Sequence, residues 1–201
     1  MKLVSVNVGL PRVVMSHGDP VSTGIFKEPV AGPVMLRTLD LDGDRQADLS
    51  VHGGPSKAAY AYPSEHYDYW TAEFPEMKLP SGMFGENFTT AGLFETELNV
   101  GDKFRVGSAL VMATEPRMPC YKLGIRFGRP DVVKRVLASE RTGFYFAVLQ
   151  EEEVGVVIRF ELIEKSKDSL RLSDVTALYT HEKHNIGLLR RAIEVATLPE
   201  S

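Results

Sequence analysis

The chain is short of cysteine, of basic charge and of long apolar runs, and each shortage closes off a class of function. One cysteine in 201 residues leaves no intramolecular disulfide framework and no Cys-rich zinc site, and fits a reducing compartment. No stretch approaches the ~18 consecutive apolar residues of a membrane span. The opening MKLVSVNVG alternates like a strand, and no small-residue cleavage site follows an apolar core, so it does not read as a secretory signal. A cytoplasmic protein without a membrane partner is expected. Lys and Arg number 23 against 27 Asp and Glu, a net charge of -4, which argues against bulk-charge affinity for a nucleic-acid polymer. Any anion site must therefore be a local cluster of cations. The Walker spacing and the G-x-G-x-x-G fingerprint are both missing, which removes the P-loop and Rossmann readings.

What is present is an ordinary globular composition, 43% hydrophobic and 25% charged, long enough to bury a core without a disulfide or structural metal. The first half is strand-like between Gly and Pro turns: Lys2 to Val8, Val34 to Leu39 and Ala58 to Tyr62. Ser64 caps a helix whose Tyr67, Trp70 and Phe74 fall at helical spacing and read as core. Turns at Gly101-Asp102 and Gly107-Ser108 frame KFRV and ALVMATE, which suggests a meander. Asp131 opens a short helix with Val133, Val136 and Leu137 on one face. Phe144 to Leu149 and Val154 to Leu162 read as a long strand pair joined by a solvated turn at Glu151-Glu152-Glu153. Beyond Lys165 the apolar period becomes helical. Ser173 is expected to cap one helix, and Leu188 to Ala196 to form another. The fold class is mainly β with helices: a closed or sandwiched β-unit over residues 1–167, then a helical unit over 168–201.

Among candidate motifs, Asp40, Asp42 and Asp44 fail the calcium-loop test, because Arg45 and Val51 stand where Gly and Glu would be needed. That segment reads as a hairpin loop. His181-x-x-His184 lacks further ligands nearby in sequence and reads as a surface helix. The stretch EPRMPCYKLGIRF is different. Pro116 and Pro119 stiffen the approach to Cys120, and Pro119 suits a first helical position, which puts Cys120 in the first turn. There the helix dipole, with Arg117, Lys122 and Arg126 close in sequence, would lower the thiol pKa and favour a thiolate that binds a soft metal or attacks an electrophile. A buried structural cysteine is the competing account. Three glycine turns look like anion or cofactor loops: TGIFK with Lys27, VHGGPSK with His52, Gly53 and Lys57, and GMFGENF with Asn87.

Taken in order, TGIFKEPV, GDRQADLSVHGGPSKAAYAYPSEHYDYW, GMFGENFTTAGL and GDKFRVGSALVMATEPRMPCYKL resemble the MOSC family, the domain named for the C-terminal part of molybdenum cofactor sulfurases, and within it the YiiM-like branch. The resemblance runs over roughly residues 20–162, and the tail from Ser173 to Leu198 is similar to the three-helix unit that follows the barrel there. One departure is visible: members often carry Gly-Asp before the last strand, and here Val156 follows Gly155. The resemblance implies a MOSC-type β-barrel whose cleft takes a molybdenum cofactor (Mo-molybdopterin), with Cys120 as catalytic residue and metal ligand. It implies that the loops around Lys27, His52, Asn87 and Arg117 line the pocket, with Gly53, Lys57 and Lys122 as further cofactor-binding candidates. Which of Lys27, Lys57, Lys122 and Arg126 meets the cofactor phosphate stays open.

The function implied is a molybdenum-dependent oxidoreductase that reduces N-hydroxylated compounds such as hydroxylaminopurine-type base analogues, a detoxification. Two electrons must reach an N–O bond, and no flavin or nicotinamide fingerprint is present, so a separate electron-donating reductase is the expected partner. Two rivals stand beside it: a non-catalytic cofactor or sulfur-carrier module, and a cysteine hydrolase pairing Cys120 with His52. The sequence leaves room for a homodimer.

Overall fold

The structure, a computed structural model, describes residues 1–48 and 53–199. Alternation of buried and open positions generates most of the sheet. Ala109, Val111 and Ala113 of β9 (Ala109–Pro116) and Phe144, Phe146 and Val148 of β10 (Phe144–Gln150) point to one side and are buried. They join Val6 of β1 (Lys2–Val8), Phe88 of β7 (Phe88–Ala91), Phe104 of β8 (Lys103–Val106) and Phe160 of β12 (Phe160–Glu164) in one apolar cluster. With β4 (Glu28–Pro29) and β6 (Ala59–Pro63), these strands make a mixed eight-stranded sheet in the order β12-β8-β9-β10-β6-β7-β1-β4.

That sheet curls into a half-barrel, and hydrogen bonds tie its ends together along one rim. Leu3 N donates to Ile158 O (2.8 Å), Val157 N to Leu3 O (3.0 Å) and Phe160 N to Met1 O (3.2 Å). The expected turn-linked strands are there as the antiparallel β8–β9 hairpin, and β10, reached only after two helices, pairs antiparallel with β9. β6 and β7 run parallel, with α1 (Glu65–Glu73) between them in sequence. Two ribbons complete the β structure: β2 (Arg12–Ser16) with β3 (Asp19–Thr23), and β5 (Val34–Leu36) with β11 (Glu152–Val154).

Strand β6 is buried on both faces, which positions everything else. Its Ala59 and Ala61 join the barrel cluster, while Tyr60 and Tyr62 face a second, aromatic cluster. There Trp70 of α1 and Phe74 at its C-cap meet Leu123 and Phe127 of α2 (Tyr121–Phe127) and Val132 and Val136 of α3 (Val132–Ser139). Tyr62 stacks on Phe84 with ring centroids 4.2 Å apart. Ser64 and Asp131 stand at the helix starts expected of them, although neither side chain caps its own helix.

Several expectations are corrected. The strand from Val34 stops at Leu36, because the chain turns back through a Leu36–Leu41 bridge. Val154 to Leu162 is not one strand, and it does not pair with the strand from Phe144. β11 pairs with β5, and β12 pairs with β8. The three glutamates are no mere solvated turn: two lie in β11, and Glu151 accepts from both the N–H and the hydroxyl of Thr38. Arg171, not Ser173, is the N-cap of α4 (Leu172–Tyr179), and Asn185 caps α5 (Ile186–Glu194), two residues ahead of the expected start. The tail is sewn onto the sheet. Val100 N donates to Leu170 O (2.9 Å), Leu172 N to Leu98 O (3.0 Å), and Leu170, Leu172, Val175 and Val195 are buried in the barrel cluster.

Candidate active site

The outer face of the sheet carries a tyrosine pair, and the cleft stands on it. Tyr60 of β6 and Tyr145 of β10 are register partners, with rings 5.4 Å apart. The Tyr60 hydroxyl donates to Thr142 O (2.7 Å). Arg117, just beyond β9, lies over the Tyr60 ring at 5.0 Å. Its backbone N–H donates to Gly143 O (3.0 Å), which extends the β9–β10 pairing by one bond. Gly143 has φ +67°, and a Cβ there would meet Ala61 O at 2.5 Å and the rings of Tyr60 and Tyr62 below 3 Å. Glycine is required at that position.

Arg117 is buried, yet its Nη1 has no hydrogen-bond partner. Burial opposes its charge. The neighbouring Tyr60, Tyr145 and Cys120 outweigh that, so its pKa is raised and the guanidinium stays charged. Tyr145 in turn is pushed up by burial, against the pull of Arg117, and keeps its proton. A buried N–H left unpaired costs about 1–3 kcal/mol, so an unpartnered guanidinium nitrogen in a cleft is a place where an incoming acceptor gains.

Cys120 lines the same cleft. It is the N-cap of α2, with extended backbone (φ -110°, ψ 172°), not a first-turn residue. Pro119 therefore sits one residue outside the helix and stiffens the approach. The thiol is not in a disulfide. Lys122, two residues on, also lines the cleft and has no ion-pair partner among the described residues. Lys57 enters from the other wall on a 3-10 turn at Pro55–Lys57, held to β9 by Thr114 Oγ1 donating to Ser56 O (2.7 Å). Its ammonium is 3.6 Å from Glu115. Burial raises the Glu115 carboxyl, and Lys57 works against that rise.

Lys27 and Asn87 line the cleft too, but with their polar groups engaged. Lys27 is ion-paired with Asp44, which is wholly buried. Asp44 also accepts from Gly9 N and from Asn87 Nδ2, both at 2.9 Å. The amide oxygen of Asn87 accepts from Tyr60 N (3.1 Å). Burial lowers the Lys27 pKa, and Asp44 is the chief opposing influence. Sequence reasoning saw Asp44 only as one of three aspartates in a loop. Asp40 and Asp42 pair with arginines nearer the surface, and nothing in the residue pattern separates the three. Tyr60 and Tyr145 were missed for a similar reason, since tyrosine alternating with apolar residues reads as core.

Gly53 lies on the cleft wall with φ +94°. His52, the fourth loop candidate, lies outside the described residues. The cleft therefore brings together Cys120, Arg117, Lys57, Lys122, Gly53, Lys27 and Asn87. As it stands it is a small cavity of ≈ 90 Å³ that opens to solvent, below the roughly 300–1,000 Å³ of ligand pockets. His181 is elsewhere, 2.8 Å from Glu140.

Known proteins share this arrangement of chain. The family description "MOSC domain" matches residues 48–158, which hold β6 to β10, α2 and Cys120. The uncharacterized protein YflK of Bacillus subtilis is 39% identical over 199 residues, covering 99% of this chain and 90% of its own. A protein named "Reductase" from Gibberella moniliformis is 29% identical over 89% of this chain, which spans only 32% of that longer protein. The crystal structure of YiiM from Geobacillus stearothermophilus superposes with a TM-score of 0.82 at 33% identity, covering 98% of this chain and 93% of that one. The sequence match over more than half the chain and the near-complete structural overlap agree, and the chain belongs to the MOSC domain family.

Proposed function

We propose that this protein is a molybdenum-cofactor-dependent reductase of N-hydroxylated compounds, with Cys120 holding the metal. The observation that carries the reading is the donor set of one cleft: a thiol, two lysines, and a buried guanidinium with an unpartnered N–H. Among the described residues no three His, Cys, Asp or Glu side chains converge on one point. A single thiolate is too few ligands for a bare resident ion, and it suits a metal that brings its own ligands on an anionic carrier. The cations then have an evident task. Arg117 can offer Nη1 to a phosphate or ring acceptor, and Lys57 and Lys122 supply mobile positive charge on either wall.

When bound, the cofactor supplies the two-electron chemistry. The chain supplies the rest. Cleaving an N–O bond to amine and water consumes two electrons and two protons. Tyr145, its hydroxyl pushed up by burial, is a proton-holding group in the cleft, and the Glu115 carboxyl beside Lys57 is shifted upward by burial. The Tyr60 hydroxyl is committed to Thr142 O. Electrons come from a separate reductase. The relative named "Reductase" and the MOSC match support this class of reaction.

The test is metal and pterin analysis of protein from a molybdopterin-making host, with turnover of a hydroxylaminopurine and an electron donor. Wild type should carry molybdenum and turn over, and Cys120→Ala should do neither while staying folded. Stoichiometric molybdenum in the variant would sink the ligand assignment. A loaded wild type that never turns over would leave a carrier module instead.

A further inference from the structure

Outside the cleft lining, two arginines are held over one ring with nothing to neutralise them directly. Arg12 of β2 lies 3.8 Å from the centroid of Phe26, and Arg126 of α2 lies 5.0 Å from it. Cation–π attraction holds each guanidinium, but it brings two like charges together. Burial and the nearby Arg12 both act to lower the Arg126 pKa. Neither arginine has an ion pair or hydrogen bond among the described residues, and Arg126 Nε is buried without a partner. The acids in range are Glu28 and Glu86. Glu86 is already saturated by Tyr67 and Thr89 hydroxyls and the Gly82 and Phe84 N–H groups. Glu28 is exposed and contacts neither arginine by a hydrogen bond.

Two forked donors gathered at one ring, with no direct acceptor among the described residues, suit an oxyanion. Its position suggests which one. Phe26 lies between Ile25 and Lys27, both in the cleft wall. Arg126 stands six residues along the chain from Cys120, roughly 9 Å of helix rise. That is the scale of a nucleoside monophosphate with its base at the thiol and its phosphate at the rim. We propose that Arg12 and Arg126, over Phe26, form a phosphate-monoester site at the rim of the cleft, so that the substrate is taken as a nucleotide in preference to the free base. The proposal rests on the reductase reading for the base, and on the arginine pair alone for the phosphate.

Calorimetric titration of the purified, cofactor-quantified protein with adenosine 5′-monophosphate, adenosine and inorganic phosphate tests it without turnover. The monophosphate should bind at least tenfold more tightly than adenosine, with inorganic phosphate competing. Arg12→Gln/Arg126→Gln should erase that tenfold while adenosine binding and melting temperature hold, and a fall in cofactor content in this variant would give the arginine pair to the cofactor's own phosphate and overturn the proposal. Arg126→Lys, which keeps charge but loses the fork, should fall between. Equal affinity for monophosphate and adenosine overturns the proposal, even if inorganic phosphate binds. So does a preference that survives the double Gln variant, or one removed by Lys57→Gln/Lys122→Gln instead, since the phosphate would then sit in the cleft. A protein that binds the monophosphate through the two arginines but never turns over loses the reductase reading and keeps the site. An active reductase indifferent to the phosphate does the reverse.

Discussion

Two buried polar clusters share the cleft wall and differ in one respect: the first is closed and the second open. Around Asp44 every polar group is answered, by the Lys27 ammonium, the Asn87 amide and the Gly9 N–H. Around Arg117 the guanidinium has rings beneath it and an N–H that nothing accepts. Physically the first is scaffolding, because a satisfied low-dielectric network fixes the loops that carry it. The second stores unfavourable free energy in the ligand-free protein and releases it when an acceptor arrives. Both are cation-bearing loops in the sequence, and only burial and partner count tell them apart.

The largest effect is expected at the thiol. Cys120→Ala should remove bound molybdenum entirely, while the melting temperature, followed through the buried Trp70, changes little. A large loss of stability with metal retained would make Cys120 a packing residue.

Next in size is the closed cluster. Asp44→Ala leaves the buried Lys27 without its partner, and truncating one partner of such a pair costs about 3–5 kcal/mol. Urea unfolding should show that loss, and Lys27→Met added to Asp44→Leu should recover much of it, as apolar replacements of buried pairs often do. Were Asp44→Ala neutral, the Lys27 ammonium would be serving a ligand after all.

Smaller in stability, but larger in binding, is the open cluster. Arg117→Met should leave the cofactor-free protein within about 1 kcal/mol of wild type, since it removes an unpaired donor, and should cut cofactor retention by about tenfold or more. Lys167→Glu, exposed and far along the chain, is the control. Equal pterin content in both variants would end the distinction between open and closed.

The least effect is expected where charge meets water. Hydrogen bonds from Arg129 and Arg135 lower the Asp131 carboxyl to about 2. A depressed acid stabilises the fold above its unfolded pKa and loses that contribution as pH falls from near 4 through 2. Asp131→Asn should therefore flatten the acid limb of a stability–pH curve only slightly, because solvent screens the pair. A limb unchanged in the variant would mean that the pair is fully screened.

The sequence made local matters legible and left mutual ones hidden. Ser64 and Asp131 announced their helices, the two glycine turns framed β8 and β9, and the ordered cationic loops with EPRMPC marked most of the cleft. Residue pattern could not show that Val154 leaves for β5 while Phe160 joins β8, because pairing partners far apart in sequence are chosen by the closing of the whole sheet. For the same reason Asp44 looked like Asp40, and Tyr60 like any core tyrosine.

The rim bonds between residues 1–3 and 157–160 set a timetable for folding. β1 has β7 on one edge; on the other, β4 covers its end at Asn7 and Val8, while Lys2 and Leu3 wait for a segment made some 150 residues later (roughly 8–30 s at ribosomal speeds). Until then, that edge of β1 beside Lys2 and Leu3 stays open, and the loop to be closed is about three-quarters of the chain, a slow, non-local step. A newly made chain would therefore wait with an unpaired strand edge, a template for mispairing with a neighbour. A circular permutant that joins residue 201 to residue 1 and opens the chain in a surface loop would bring the two segments to within about 40 residues of each other, and should speed refolding more than it changes stability.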